Sequence, residues 1–540
     1  MTVQLPPFIV ERPGGATLWR YLEIPRFEVL STCSEATTLQ LALSFHRAHE
    51  LLGLVLPPKF QVAFASPQAV ILYDQKLWPE NERAAVAALL QAEDSAPPTT
   101  NEGRSITGTQ PEWLTRANLV DRTVSGEGHG RAFLKNLLLS DVDSTTTFVL
   151  AGDGALDPQR PHLTADYINL LLEGRTPALP VWFVAGFKQL YPGMEFRPRT
   201  VTLSLPRRSE TERLPPLDRL LQESLPPESE RDRWRDDVQL FICWGFDPDG
   251  GRAESFWRFL DRASAAAPTE STFRECFGLG YEEAAAQVEQ YGRTARSLRW
   301  TLPTGWDRLP DGSVQEASSG QVARIKGEWE RLEARYVQHT NAALTSQYVA
   351  LARRTLHKAY DRGDRDPSLL ASLGLLELEL GEKAAAPAFL EEAQSHGVAR
   401  PRAAFELAFL RYESLLGRSR RDDGKFPSAQ IEPLLAPLLV AAQQSPPLAA
   451  VFQLMAEAGT MGIEPPSPEV LAALAAGVRL FPTHRDLAGK VASLYRLAGR
   501  NDEADALLAL GAGRQPRPPT AAPSRLNEIR DQFLKVDLLP

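Results

Sequence analysis

The pattern of apolar and polar residues changes character along the chain. Up to about residue 150, short β-type runs alternate with amphipathic helical segments, which is typical of an α/β layout. The predicted strands are 27–31, 60–64, 69–73 and 145–150, and the predicted helices are 37–52 and 79–91. Residues 94–130 are polar and rich in Gly, Pro, Ser and Thr, so we expect a surface excursion there.

Two helices with clear ends follow the last of these strands. The first begins at Pro161, whose missing N–H costs nothing in a first turn, and ends at Gly174, which tolerates a positive φ just past a helix. The second, 181–191, begins after Pro180 and stops at Pro192. Both have apolar residues at helical spacing, so the two segments form one helix–turn–helix unit.

This unit resembles the core of the gluzincin metallopeptidases, most closely the peptidase MA-like group. That family carries a pattern like T-H-E-Y-T-H-L-L-L, then a short turn, then L-P-x-W-L-x-E-G-L-A-E-F-Y. Residues 164–172 and 179–191 keep this frame without a gap, and the family's closing segment keeps its frame at Phe277, Gly278 and Tyr291. The resemblance covers roughly residues 25–305 and implies an α+β zincin-like fold for that half.

The positions that would hold zinc carry other residues. In an active zincin, two His one turn apart bind Zn²⁺, a Glu beside the first is the general base, and a Glu on the second helix completes the ligands. The resemblance places the two histidines at Ala165 and Asn169. It places the general base at Asp166 and the third ligand at Ala185. Alanine has no lone pair, and a neutral amide is a poor zinc ligand. The resemblance therefore implies a lost metal centre, with no catalytic residue, metal or cofactor.

The groove of such a site does not depend on zinc for its shape. Tyr167, Trp182 and Phe187 belong to the same two helices and are the candidate lining of the former cleft. A peptide could still bind in that cleft if these side chains leave it open.

Residues 318–512 are helical in pattern throughout, with abundant Ala and Leu. Two segments resemble tetratricopeptide repeats, in which small residues lie at helix crossings and Leu fills the gaps. The matching positions are Leu373, Gly374, Gly381, Ala386, Leu390 and Ala393 in the first, and Tyr495, Gly499, Ala504 and Leu508 in the second. Helices at 402–416, 431–443 and 448–458 would fill the array between them, and a plain helical bundle is the alternative.

The predicted fold is thus an α+β zincin-like N-terminal half followed by an all-α helical-repeat (TPR-like) half. We divide the chain into an N-terminal α/β subdomain of the peptidase-like region, a degenerate gluzincin-like domain, a helical-repeat domain, and a Pro-rich linker with a short C-terminal helix. The boundaries are 1–115, 116–310, 318–512 and 513–540.

Composition narrows the classes of function. The hydrophobic fraction of 43% and the charged fraction of 24% are ordinary for a globular chain. The formal net charge of −9 argues against a nucleic-acid surface, which requires a basic face. We expect no transmembrane segment, because no apolar run is long enough. Residues 1–12 lack the features of a secretory signal, so we expect a cytoplasmic protein as the chain stands, or an exported one if its start is mis-assigned.

The spacing of the cysteine and histidine residues along the chain predicts no metal site. Cys33, Cys243 and Cys276 lie far apart without C-x-x-C spacing, so we expect buried thiols rather than disulfides or zinc ligands. No histidine belongs to an H-E-x-x-H motif. His46 and His49 are three residues apart on the first predicted helix, and we interpret them as part of a solvated helix face rather than as ligands.

The favoured function is a catalytically inactive metallopeptidase homologue, a pseudopeptidase, that binds a protein or peptide through its helical repeats or its old cleft. The alternative is an active hydrolase with an unrecognised metal site or nucleophile, for which the candidates are His46, His49, His129 and Asp166. No G-x-S-x-G motif supports that alternative. A third interpretation is an assembly adaptor in which the peptidase-like half is only a scaffold. The sequence pattern does not indicate which oligomeric state the protein adopts.

Overall fold

The computed structural model has an α+β half up to residue 316 and a helical half from residue 319. The described residues are 18–60, 64, 66–77, 135–151, 168, 171–172, 176–190, 193–197, 199–205, 208–209, 212–222, 224–294, 297–302, 306, 308–309, 312–340, 342–397, 400–417, 425–482 and 484–512. This order of an α+β and an all-α half confirms the predicted fold class at that level.

A six-stranded mixed sheet organises the α+β half. Its strands are β1 (Arg20–Ile24), β2 (Phe27–Ser31), β3 (Gln68–Asp74), β4 (Lys135–Ser140), β5 (Thr145–Ala151) and β9 (Gln315–Glu316). They lie in the order β4-β5-β3-β2-β1-β9, with β2, β3 and β5 parallel and the outer pairs antiparallel. Strands from both sides of the predicted boundary at residue 115 therefore share one sheet.

Each face of this sheet is covered by a different helix. Side chains alternate along a strand, so neighbouring residues of β3 enter different cores. Val70 joins the core that contains α1 (Glu35–Val55), and Ser34 caps that helix by accepting a bond from the Thr37 N–H. Ile71 joins the core closed by α8 (Ser319–Thr340), the first helix of the helical half. The sheet is the layer between the two halves.

Shorter helices and a second sheet complete the described part of the α+β half. The helices are α2 (Val181–Leu190), α3 (Leu217–Leu220), α4 (Arg231–Phe246), α5 (Ala253–Ala265), α6 (Glu270–Phe277) and α7 (Tyr281–Thr294). Strands β6 (Met194–Arg197), β7 (Thr200–Ser204) and β8 (Ser297–Thr301) form a three-stranded antiparallel sheet. Leu298 and Trp300 are buried while their neighbours on β8 are exposed, so only one face of this sheet joins the core.

The described helical half is an array of helix hairpins. After α8 come α9 (Thr345–Asp361), α10 (Pro367–Leu380), α11 (Ala386–Ser395), α12 (Pro401–Leu416), α13 (Ser428–Ala442), α14 (Ala449–Thr460), α15 (Pro468–Leu480), α16 (Arg485–Leu497) and α17 (Asn501–Ala512). Each first helix packs against the second helix of its own hairpin and against the first helix of the next. We call α8, α10, α12, α14 and α16 the first layer. Within the described ranges, no helix combines the length and apolar character that a bilayer crossing requires.

Most predicted elements that fall within the described residues are confirmed. Strands 27–31, 69–73 and 145–150, helix 37–52 and the helix after Pro180 match β2, β3, β5, α1 and α2 closely. Predicted strand 60–64 is wrong at Phe60, which ends a short 3₁₀ turn (Pro58–Phe60). Predicted helix 79–91, the excursion 94–130 and the tail from 513 lie outside the described residues. The three cysteines are free and buried, as predicted.

Candidate functional site

Helix α2, the second helix of the predicted pair, crosses α4 at very close range. A Cβ on Gly186 would lie 2.6 Å from Ile242 Cδ1 and 3.1 Å from the backbone nitrogen of Gln239, so only glycine allows this approach. Ala185, the position of the predicted third ligand, is the residue before this crossing and is partly buried against the main core of the α+β half. It presents a methyl group where the resemblance calls for a carboxylate.

The predicted cleft lining needs correction at two positions. Trp182 is fully buried, and its ring lies 5.6 Å from that of Phe241 and 6.2 Å from that of Phe259. Phe187 is also buried, with its ring 5.6 Å from that of Phe183. The reason is an aromatic cluster that joins α2 to α4 and α5. Both side chains belong to this core and do not form the wall of an open cleft.

The first helix of the pair is described at only three positions. Ile168, Leu171 and Leu172 are helical and buried. The candidate positions Ala165, Asp166, Tyr167 and Asn169 lie outside the described residues, as does His129. A small cavity separates this helix from α1, and its lining is Arg26, His49, Leu52, Leu56, Phe60, Ile168, Leu171 and Leu172.

His46 and His49 are buried, with 7% and 8% of each residue exposed, which corrects the prediction of a solvated helix face. The tight turn between β1 and β2 explains the environment of His49. It holds Arg26 in the left-handed region, with φ of 72°, and the Arg26 guanidinium donates to His49 Nε2. Burial first, then Arg26 and His46, lower the pKa of His49 to about 3. Burial likewise lowers the pKa of His46. Both rings are neutral and weakly basic at neutral pH, which does not suit a general base.

A buried charge cluster lies where the turn between β4 and β5 meets the helical half. All of its side chains are 11% exposed or less. We call it the turn cluster, and its members are Asp141, Asp143, Glu328, Arg331, Arg335, Glu379, Arg400 and Arg402. Asp141 and Asp143 lie in the turn between β4 and β5, and the other six residues lie on α8, on α10, at the N-cap of α12 and in its first turn.

Four arginines converge on Asp141. Arg331 Nη2 donates to Asp141 Oδ2 at 2.7 Å, and Arg402 Nη1 donates to the same oxygen. Arg335 Nη1 lies 3.2 Å from Oδ1, and Arg400 Nη2 lies 3.8 Å from Oδ2. Charge-assisted bonds of this kind are about twice as strong as neutral ones. One carboxylate of the α+β half is thus held by helices α8 and α12 together.

Asp143 and Ser144 extend this contact to the end of α12. Asp143 Oδ2 accepts from the backbone N–H of Arg402 at 2.8 Å, in the first turn of that helix. Arg400, the residue at the N-cap, makes no side-chain capping bond, so the turn supplies the cap. Ser144 Oγ donates to Glu328 Oε1 at 3.0 Å.

The arginines keep the buried carboxylates of Asp141 and Glu328 charged. Burial raises the pKa of Asp141, but the surrounding arginines, Arg402 foremost, lower it well below its ordinary value. The pKa of Glu328 is lowered in the same way, because Arg331 and Arg400 outweigh its burial. Charges buried this deeply are tolerated only when they are paired and hydrogen-bonded. The cluster therefore depends on having all of its members in place.

Sequence reasoning missed the turn cluster entirely. The charges of α8 are spaced as they are on an ordinary solvated helix, and Asp-Val-Asp-Ser has the composition of any polar turn. The nearest signal is two arginines flanking Pro401 at a helix start, where acidic residues are normally favoured. Basic residues at this helix start are explained by the structure, in which carboxylates from the β4–β5 turn face the end of the helix.

The first layer continues past the turn cluster with half-exposed polar residues. Lys490 of α16 lies 2.9 Å from Glu457 of α14 and 2.8 Å from Asp486. About a third of the Lys490 side chain is exposed (31%), as is 28% of that of Glu457. This part of the first layer is therefore accessible to solvent, unlike the part around Asp141.

Within the ranges that the structure describes, no group of three or more His, Cys, Asp and Glu side chains is arranged to hold a metal ion. Comparisons of the chain with family models, curated proteins and solved structures find no match. The function is therefore argued from the residues themselves.

Proposed function

We propose that the chain is a catalytically inactive relative of the gluzincin metallopeptidases and serves as a protein- or peptide-binding scaffold. The observation that carries the first part is Ala185. This residue lies on the helix whose frame matches the family, directly beside the close crossing at Gly186, and it offers no ligand atom. With alanine at two of the three ligand positions, a catalytic zinc would lack the three protein ligands it needs.

The helical half supports the binding part of the proposal. Five of the six predicted repeat positions of the first segment fall on α10 and α11, which form one hairpin, and the sixth, Gly381, directly follows the end of α10. A Cβ on Gly374 would lie 2.6 Å from Leu390 Cδ2, so the predicted small residue does lie at a helix crossing. Tandem hairpins of this kind present an extended first-layer surface, which suits a protein segment better than a small molecule. The accessible face is on α14 and α16, around Glu457 and Lys490.

Zinc content tests the loss of the metal centre. We expect no stoichiometric zinc in the folded protein after dialysis against a weak chelator, as measured by elemental analysis. About one tightly held zinc per chain would instead support the alternative of an active hydrolase with ligands elsewhere.

A restored variant supplies the matched control. If the frame is right, Ala165→His, Asn169→His and Ala185→Glu together rebuild a two-histidine, one-carboxylate site, and we expect that variant to hold about one zinc per chain. The same variant without Ala185→Glu should hold zinc much more weakly. A restored variant that is folded but binds no zinc would contradict the resemblance itself.

A further inference from the structure

We infer that the first layer at α8, α10 and α12 is a recognition site for a turn of the form Asp-x-Asp-Ser, and that the chain fills this site with its own β4–β5 turn. The inference rests on the proposed function in treating the array as a protein-binding module, and it names the segment that the module recognises. In this arrangement the turn is a ligand in cis that closes this part of the array to other proteins.

The geometry of recognition is specific at both carboxylates. Asp141 lies at the meeting point of guanidinium groups from α8 and α12, and a neutral or basic side chain there would remove the carboxylate that these buried groups share. Asp143 accepts a backbone N–H at the start of α12, where an anion is favoured. The residue between them, Val142, is partly buried against the core of the later helices. The helical half therefore contacts the acidic, apolar and acidic side chains of the turn at all three positions, 141, 142 and 143.

The hydroxyl group of Ser144 in the turn is also held by hydrogen bonds. Ser144 Oγ accepts from Arg400 Nη2 at 3.1 Å besides donating to Glu328. Ser372 of α10 donates to the other oxygen of the same glutamate, Glu328 Oε2, at 2.7 Å. Residues of α8 and of the start of α12 thus bond directly to one short turn, and α10 supports that contact through Glu328.

The position of the turn in the sheet makes it separable from the rest of the fold. The Asp141 N–H donates to the Ser144 carbonyl at 2.8 Å, so this pair is hydrogen-bonded and Leu139–Thr146 is the next such pair of the hairpin. Replacing residues 140–145 by Asn-Gly would close the hairpin at that pair with a favoured two-residue turn. The shortened hairpin keeps the earlier pairs of β4 and β5 and leaves the site on the array vacant.

The test adds the ligand back in trans to this full-length, shortened-hairpin variant. The probe is a fluorescein-labelled peptide with the sequence of residues 139–146, LSDVDSTT, and the readout is fluorescence anisotropy. We expect the variant to bind the peptide at least about 30-fold more tightly than the intact chain, and the peptide with both Asp changed to Asn to bind at least about 30-fold more weakly.

A matched pair of substitutions locates the binding. In the shortened-hairpin variant, Arg402→Ala should abolish binding, whereas Arg411→Ala should not. Arg411 lies on the same helix but contacts Glu391 and the Pro433 carbonyl on the exposed side. A folded variant that ignores the peptide, or binds the Asp and Asn forms equally, would overturn the inference. The zinc measurement is independent of this result, so the two proposals fail separately.

A second measurement decides the case if the shortened variant does not fold. In the otherwise intact chain, Ser372→Cys places a thiol next to Glu328, which bonds to the turn. Asp143→Asn weakens the contact between the turn and α12. We expect Asp143→Asn to speed alkylation at position 372 by about tenfold or more, while the buried Cys33, Cys243 and Cys276 react as slowly as before. An unchanged rate at position 372, or a rise at all four thiols together, would show that the turn is not separately released and would overturn the inference.

Discussion

The residues around the helix pair and those of the turn cluster are both buried, but they differ in charge. The first are uncharged, and the second include charged side chains. Around the helix pair, the buried side chains carry no charge: Ala185 packs against the core, Trp182 is enclosed by aromatic rings, and burial lowers the pKa of His49 so that its ring is neutral. At the turn cluster, the arginines keep Asp141 and Glu328 charged despite their burial. Burial alone therefore does not set the protonation state of a side chain, because neighbouring charges reinforce its effect at His49 and outweigh it at Asp141.

The largest effect is expected at Asp141. Asp141→Ala leaves four buried arginines without the carboxylate on which they converge, and breaking a buried ion pair costs about 3–5 kcal/mol. We expect a loss of that size in the free energy of unfolding, measured in denaturant. Arg411→Ala, which breaks an exposed pair on α12, should cost less than about 1 kcal/mol. A loss at Asp141 no larger than at Arg411 would remove the contrast between the two regions.

The pH dependence of His49 is expected to come next. Its folded pKa of about 3 lies below the unfolded value, so its contribution to stability is fully present above the unfolded pKa and is lost as pH falls toward 3. Between pH 6.5 and 5 one such group accounts for about 2 kcal/mol, at about 1.4 kcal/mol per pH unit. His49→Gln keeps an acceptor for Arg26 and should lose less stability over this range. Equal losses in both proteins would place the titrating group elsewhere.

The carboxylates of the turn cluster sharpen this prediction, because their folded pKa values are also depressed. Asp141 and Glu328 contribute stability above their unfolded pKa values, near 4, and lose it only as pH falls toward their lower folded values. The two regions therefore separate on the pH axis. Acid first weakens the protein around His49 and weakens the turn cluster only below about pH 4.

A smaller effect is expected at the α2–α4 crossing. Gly186→Ala places a methyl group within 2.6 Å of Ile242 Cδ1, and the overpacking should cost about 1–2 kcal/mol net of the better helix propensity of alanine. The matched control is Gly489→Ala on α16, where nothing lies within 4 Å of the added Cβ. That change should stabilise by about 0.5–1 kcal/mol. Thermal unfolding of the two variants checks the sign as well as the size, and the same sign in both would contradict the tight crossing.

The smallest effect is expected at the exposed end of the first layer. Lys490→Gln removes ion pairs with Glu457 and Asp486, and pairs this accessible to solvent contribute about 0.5 kcal/mol or less. We expect almost no change in thermal stability but a measurable loss of partner binding if this face is used. A large loss of stability would mean that this pair is structural, like the turn cluster.

Local pattern was sufficient for the elements that bury one continuous stripe. Helix α1 and strand β3 match their predicted spans within a few residues because their apolar spacing and caps are encoded nearby. Strands β1, β4 and β6 were missed because their strand conformation depends on pairing with partner strands rather than on a local pattern. The solvated face predicted for His46 and His49 was wrong because Arg26 and Phe27, where the chain turns from β1 to β2, pack against His49.

The order of an α+β half and a helical half, the helix after Pro180 and the buried cysteines all follow from local patterns in the sequence. The burial of particular charges depends instead on contacts between distant parts of the chain. Asp141 and Arg331 are 190 residues apart, and each alone reads as a surface residue. The spacing of residues along one helix shows which side chains share a face of that helix. A buried ion cluster forms only when faces of separate elements pack together. Long-range assembly therefore decided the turn cluster, and local chemistry could not.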